Sequence, residues 1–422
     1  MTQLTDDCFA FSGPLMPLAE MEKLIVARIA PVAETERVPL AKAGGRIAAA
    51  DIVAPIPLPP FDNSAVDGYA VRHADLNAGS ETRLKIAGRL TAGRSADAAI
   101  AAGEAIRIFT GAPMPPGADT VFMQEDTEVD GDVVVLPSGL KKGANRRLAG
   151  EDTRKGEVVI AAGTRLAARH IALAAALGLT ELEARRRLRV AVFSTGDEVV
   201  EPGGALGKAG IYDANRFLLA QLLGQFGAAV TDLGILRDEP ESLSRAILKA
   251  AVDHDLVLTS GGVSTGEADH VRNAVERVGR LVFWRIGIKP GRPVAMGVIR
   301  NGGHSAAFAG LPGNPVAVFV TFVKVVRPLL MRLSGAALQP LVAVPVRAAF
   351  AYRKKKGRRE YVRVSLRRAA DGELEAVKFP QDGAGVLTSL TATDGLLEFP
   401  EDVTEIEAGA RVGFLSYAAL AS

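Results

Sequence analysis

The sequence predicts a multidomain α/β plus β protein: a doubly wound α/β domain, small β domains ahead of it, and a C-terminal β-barrel. Three observations carry this. The chain has 422 residues, more than one ordinary core organises, so about two to four domains are expected. From Leu188 onward, continuous apolar strands alternate with helices, as in a parallel sheet covered on both faces. On either side of that block, short β-like runs alternate with turn signals.

Residues 17–30, "PLAEMEKLIVARIA", set Leu18, Met21, Leu24, Ile25 and Ile29 at helical spacing. A short strand, a turn and a proline-rich connection follow. Residues 68–150 read as a small all-β domain, with "DG" at 130–131 as one of its turns. A helix then closes at Gly178. In the α/β block, "LRVAVFSTG", "AAVTDLGIL", "DLVLTSGG", "LVFWRIGI", "RPVAMGVI" and "SAAFAG" are strands, and "NRFLLAQLLGQFG", "EPESLSRAILKAAVDH" and "ADHVRNAVERVG" are helices. "GNPVAVFVTFVKVVRPLLMRLSG" is one buried helix with Asn314 at the cap and Pro315 in the first turn. After Pro340 the β pattern returns. The expected division is a discontinuous helical/linker domain I (1–57 and 150–183), a β domain II (58–149), the α/β domain III (184–335) and a β-barrel domain IV (336–422).

Hydrophobic residues make up 48% and charged residues 23%, a globular composition. A net charge of +2 argues against a dedicated nucleic-acid binder. One cysteine, Cys8 near the N-terminus, excludes an intrachain disulfide framework, and the five histidines show no zinc spacing. No signal peptide is visible. The most apolar run, beginning at Val316, is broken by Lys324, Arg327 and Pro328 and reads as a core helix, not a membrane span. A cytoplasmic protein with no membrane and no nucleic-acid partner is the expectation.

Doubly wound folds bind ligands beyond the carboxyl ends of their strands, here "STGDE", "LRDEP", "SGGVSTGEAD" and "GLPGNP". Gly261 and Gly262 would bring backbone N–H groups close to an anion. A plain turn with Ser264 and Glu267 as a capping box reads equally well. Asp238 and Asp269 fit helix caps, but with Glu198 each follows a strand of one sheet. Three acids beside an anion site call for a cation between them, and Mg²⁺ takes oxygen ligands and bridges phosphates. "RIGIKPGRP" sets Arg285, Lys289 and Arg292 around a turn, either a solvated hairpin or an oxyanion clamp. "RKKKGRRE" reads by itself as a solvated turn. Asp62 and Asp67 of "FDNSAVDGYAV", Thr110 of "IFTGAP" and Asp152 of "GEDTRKG" read as loop residues or as groups aimed at chemistry. No nucleophilic triad emerges.

Taken together and in order, "PLPPFDNSAVDGYAV", "IFTGAPMPPGAD", "GEDTRKG", "FSTGDE", "SGGVSTGEADH", "IKPGRPVAMG" and "GLPGNPVAVFVTF" resemble the molybdopterin molybdotransferases, across nearly the whole chain. The resemblance implies an elongated homodimer of four subdomains with a molybdopterin-binding α/β domain and an active cleft between subunits. It implies insertion of molybdenum from molybdate into adenylylated molybdopterin, with Mg²⁺-dependent release of AMP. By motif, Asp67, Thr110, Asp152, Glu198, Asp238 and Asp269 line the cleft as catalytic groups, Asp67 reaching across the dimer while Asp62 braces its loop. Asp238, Asp269 and Ser264 hold Mg²⁺ and pyrophosphate. Gly261, Gly262, Arg285, Pro312 and Pro315 contact substrate, and Lys289, Arg358 and Ser389 hold molybdate. Arg285 replaces a frequent lysine and Ala317 a frequent serine. The adenylyltransferase of the preceding step and molybdoenzyme chaperones are the implied partners. The rival functions are that adenylyltransferase itself and a non-catalytic scaffold like the E domain of gephyrin.

Overall fold

A computed structural model describes residues 4, 9, 15–95, 98–237, 239–262 and 270–420. Cys8, Asp238, Ser264, Glu267 and Asp269 lie outside the described residues.

The centre is a six-stranded mixed sheet. Ala229–Leu236, Arg189–Thr195, Leu256–Ser260 and His304–Leu311 lie side by side and parallel. Pro293–Asn301 and then Gly279–Arg285 continue the sheet antiparallel. The change of direction has a local cause. Parallel neighbours need a helical crossover, whereas Pro293–Asn301 joins His304–Leu311 through the tight "GG" turn at 302–303. Side chains alternate between two cores, as a pleated strand requires. Val190, Val192, Leu256 and Leu258 face one core, together with Leu219 and Leu223 of the helix Asn215–Gln225. Ala191, Phe193 and Val257 face the other, against Leu243 and Ile247 of Pro240–Asp253 and Val271 and Val275 of His270–Val278.

The apolar run starting at Pro315 is a continuous helical rod, but not a uniform one. Pro315–Thr321 and Arg327–Leu333 are α-helical, and Phe322–Val326 between them is a π turn. Pro328 lacks an N–H and its ring clashes with the carbonyl four residues earlier, so the chain widens there. The N-terminal helix Leu18–Arg28 buries Leu18, Met21, Leu24 and Ile25 in this same core. It therefore packs with the α/β domain and not with the module its sequence neighbours build.

That first module holds more than helix and linker. Thr35–Pro39 pairs with Glu181–Arg185, which pairs with Ile47–Ala48, and Ala168–Ala176 covers the sheet through Ala174. The outer strands lie more than about 130 residues from their common partner in the chain, a pairing that local periodicity does not display. The second module is a separate six-stranded sheet with a small core on each face. After Pro340, Val344–Ala348, Arg359–Arg368, Leu374–Lys378, Gly395–Phe399 and Arg411–Ser416 close into a five-stranded barrel, and Ile288–Lys289 adds along the edge of Arg359–Arg368.

Candidate active site

The strand ends build the first half of the site. Ser194 and Thr195 end one strand, and Thr259 and Ser260 end its parallel neighbour. Ser194 Oγ, Thr195 Oγ1, Thr259 Oγ1 and Asn215 Oδ1 are buried and have no hydrogen-bond partner among the described residues. Buried polar atoms are nearly always paired, so these strand-end atoms, Ser194 on one face of the sheet and Thr195 and Thr259 on the other, are the candidate ligand contacts. Gly261 (φ +82°) and Gly262 (φ +62°) follow in the left-handed region. A Cβ on Gly262 would fall 2.6 Å from Val271 Cγ2, so two consecutive glycines are required here. The Gly261 N–H donates to the Leu311 carbonyl (3.0 Å), and the Asn215 Nδ2–H donates to the Gly313 carbonyl (2.7 Å). These bonds draw the turn carrying Pro312 and Pro315, both half-buried, onto the glycine pair. Glu198 is exposed on the same rim, its carboxylate folded over Gly196.

A second half lies where the barrel meets this rim. Glu360 is 1% exposed and is the hub of a charged cluster. Lys289 Nζ donates to its Oε2 (3.2 Å), the Tyr352 hydroxyl to the same oxygen (2.8 Å), and Arg358 Nε to Oε1 (2.7 Å). Burial pushes the Glu360 carboxyl up, but Tyr352, Lys289 and Arg358 outweigh it and hold the group below the usual glutamate range. The adjoining cavity measures about 160 Å³ and is bordered by Lys289, Glu360, Arg363 and Gln381. Arg359, the next residue in the basic run, turns away to Glu398 and Glu401.

Ser389 does not open directly onto that cavity. It is fully buried, donates to the Val386 carbonyl (2.6 Å) and accepts from Arg363 Nε (3.0 Å). Arg363 is the group that lines the cavity, and Ser389 positions it. Arg363 also donates to the carbonyls of Gln381 (2.8 Å) and Gly383 (3.2 Å), which fixes the 381–389 loop. That loop reaches the strand-end half. Asn314 stands at the N-cap position of the helix Pro315–Thr321 but makes no side-chain cap; the Val316 N–H instead donates to Ala384 O at 3.0 Å. Ala384 borders the Lys289 cavity. The two halves are therefore contiguous.

Asp67 and Thr110 form a third element, in the second module. The Thr110 N–H and Oγ1–H both donate to Asp67 Oδ1, at 2.8 and 2.7 Å. These bonds, with Arg107 nearby, hold the solvent-accessible Asp67 carboxyl below the ordinary aspartate range. The pair owes its position to Gly68. A Cβ there would lie 1.7 Å from the Phe122 carbonyl oxygen, so only glycine lets this strand seat against its neighbour. Asp62 accepts from the Ala149 N–H (2.8 Å) and faces Arg146 (3.6 Å), bracing the loop. Asp152 is exposed, with its N–H on the Leu58 carbonyl (3.0 Å). Arg285 is exposed at its strand end, apart from the lining of the Lys289 cavity. Among the described residues, no hydrogen bond or ion pair joins Asp67, Thr110 or Asp152 to the strand-end rim or to that cavity. Glu360, Tyr352 and Arg363 escaped sequence reasoning. The available signal was a lone acid ending a basic run that tyrosines flank.

The fold and site define a multidomain protein that joins an α/β ligand crevice to a cationic barrel-edge pocket. Family profiles match the chain in order: the MoeA N-terminal region (domain I and II) over residues 16–178, a probable molybdopterin binding domain over 191–332, and the MoeA C-terminal region (domain IV) over 345–417. A molybdopterin molybdenumtransferase of Haemophilus influenzae is 45% identical over 303 residues, 72% of this chain and 74% of that one. Molybdopterin molybdenumtransferase 2 of Mycobacterium tuberculosis is 34% identical over 400 residues, 92% and 96% of the two chains. The crystal structure of a molybdopterin biosynthesis MoeA protein from Pyrococcus horikoshii OT3 superposes with a TM-score of 0.79 at 31% identity, covering 96% of this chain and 100% of that one. The chain belongs to the molybdopterin molybdenumtransferase family.

Proposed function

We propose that this chain is the transferase that inserts molybdenum into molybdopterin, taking adenylylated molybdopterin and molybdate and releasing AMP. The observation that carries the reading is the contiguity of the two half-sites through the Val316–Ala384 bond. One half suits phosphate oxygens, with unpartnered hydroxyls and left-handed glycines. The other suits a tetrahedral dianion, with Lys289 and Arg358 on one buried carboxylate and Arg363 on the wall of the adjoining cavity. Incoming molybdate competes with Glu360 for the same cations. The metal finishes on the soft sulfurs of the pterin, so the chain needs no thiolate of its own.

Asp67 and Thr110 complete the cleft, in this reading, from a second copy of the chain, because no bond among the described residues of one copy ties them to the crevice. Asp152 and Glu198 supply further carboxylates. Oxygen donors at the rim, Glu198 and the orphaned hydroxyls, are of the class Mg²⁺ takes. Asp238, Asp269 and Ser264 are its assigned ligands, and the bound ion would neutralise phosphate charge as AMP leaves. The four-module division, a cytoplasmic location, and docking to the preceding adenylyltransferase and to molybdoenzyme chaperones belong to the same proposal. Among the described residues no helix is long and apolar enough to cross a membrane.

The test is purified protein with adenylylated molybdopterin, molybdate and Mg²⁺. AMP and an active cofactor are expected, measured by chromatography and by activation of an apo-molybdoenzyme. AMP no higher than a protein-free blank defeats the proposal. Adenylylation of molybdopterin from ATP would instead assign the preceding step. Sedimentation showing a monomer at assay concentration would remove the cross-subunit role of Asp67.

A further inference from the structure

A different cavity, sharing no lining residue with the barrel-edge pocket, lies at the seam between the first module and the α/β domain. It measures about 80 Å³, room for several waters or a small anion. Among the described residues its lining includes six arginines and no aspartate or glutamate. Two of the six are neutralised nearby: Arg186 by Asp255 (2.7 Å) and Arg46 by Glu36. Arg185 and Arg187 donate to backbone carbonyls, Ala33 (3.1 Å) and Gly227 (3.1 Å).

Arg165 and Arg327 are the telling pair. Their guanidinium carbons sit 5.8 and 5.9 Å from the Phe226 ring centroid, so one aromatic face region serves two cations. Arg165 donates to the Gln225 carbonyl. Arg327 is 7% exposed and reaches the Gln339 carbonyl only at 3.3 and 3.4 Å, and its Nε is buried with no partner among the described residues. Burial disfavours the charge on both. The carboxylate field that reaches Arg327 is that of Glu22, which is exposed and not part of the lining. Guanidiniums remain protonated in proteins, so Arg327 carries a buried and Arg165 a half-buried positive charge with no carboxylate in the cavity wall. Ile47, Leu188 and Leu330 supply apolar wall beside it.

We propose that this seam is a binding site for a small organic anion: an oxyanion, carboxylate or phosphate, paired with Arg165 and Arg327, and an apolar body against Phe226 and the aliphatic wall. Its occupancy ties the first module to the α/β domain, since Arg165 belongs to one and Arg327 to the other. The site is separate from the molybdate and phosphate contacts described above, and it does not depend on them.

Benzoate and inorganic phosphate are the probes. Calorimetry with each, on the wild type and on Arg327→Met, should show a binding event that weakens at least about tenfold in the variant. The same titrations in a Lys289→Met background remove any contribution from the barrel-edge pocket. In anion-poor buffer Arg327→Met should melt no lower than wild type, because it deletes an uncompensated charge, and benzoate should raise the melting temperature of wild type alone. A crystal soaked in bromide should place an anomalous peak between the two guanidiniums. Only water there, with identical benzoate titrations for wild type and variant, overturns the proposal. Should Arg327→Met fail to fold, the bromide soak of the wild type decides alone.

Discussion

The strand-end crevice and the barrel-edge pocket face the same problem, holding oxyanions, and solve it oppositely. At the crevice, Ser194, Thr195 and Thr259 present neutral hydroxyls with no protein partner among the described residues, which leaves them free to bond water or a ligand. At the barrel edge, Lys289 and Arg358 are already satisfied by Glu360. One region is preorganised by leaving contacts unmade, the other by making contacts that a ligand must replace. Mutations should therefore affect the two regions in different ways, in stability as well as in activity.

The largest effect belongs to the cations. Replacing Lys289 and Arg358 together by methionine should lower kcat/KM for molybdate at least about a hundredfold, equivalent to about 2.7 kcal/mol of lost stabilisation. The loss should be mostly in KM, with AMP release measured against molybdate concentration. An unchanged KM would mean that the pocket serves something other than the oxyanion. Glu360→Gln is the next test. Removing one partner from a buried ionic cluster is destabilising, by about 3–5 kcal/mol, here at the lower end because the Lys289 side chain is half exposed and can hydrate. Denaturant melts read this directly. The same variant should tighten molybdate, because its competitor for the cations is gone.

Thr195→Val sharpens the contrast from the other side. Its hydroxyl has no partner to lose among the described residues, so folding stability should stay within about 0.5 kcal/mol of wild type or rise. Binding of adenylylated molybdopterin should weaken about tenfold, one charge-assisted hydrogen bond's worth. A variant that melts markedly lower while binding normally would show that the hydroxyl supports the fold and not the ligand.

Much of this was legible in the residues. The βαβ rhythm and the paired glycines at 261–262 locate the crevice because both are local requirements, a covered parallel strand and a left-handed turn. Lys289 was readable from its own turn as one arm of a solvated hairpin or of an oxyanion clamp, whereas Arg358 came from resemblance, since a basic run alone reads as solvated turn. Their common partner Glu360 was not visible, because its burial depends on a strand pairing between Ile288–Lys289 and Arg359–Arg368, far apart in the chain. The same holds for Arg363, whose contact with Ser389 spans the barrel. The three-stranded sheet of the first module and the attachment of Leu18–Arg28 to the α/β core are long-range facts of the same kind. Local sequence encodes turns, periods and caps. It does not encode which distant carboxylate ends beside which cation.

The smallest expected effect is at Asp67, the acid the second module keeps in reach of solvent. Its carboxyl is held below the ordinary value of 3.8, first by the Thr110 N–H and next by the Thr110 hydroxyl. A depressed folded-state value means that the stabilisation is complete above the unfolded value and is lost as pH falls through the folded one. The wild type should therefore hold an advantage over Asp67→Asn at about pH 6 that shrinks as pH falls below about 4. The group is open to water, so the difference in melting temperature should be small, and salt should reduce the Arg107 part of it while leaving the Thr110 part. A gap that stays constant down to about pH 3 would show that the amide fails for reasons of shape and not of charge. Turnover read on the same pair separates the roles: if Asp67 works in the cleft, Asp67→Asn loses activity at about pH 7, where it costs almost nothing in stability.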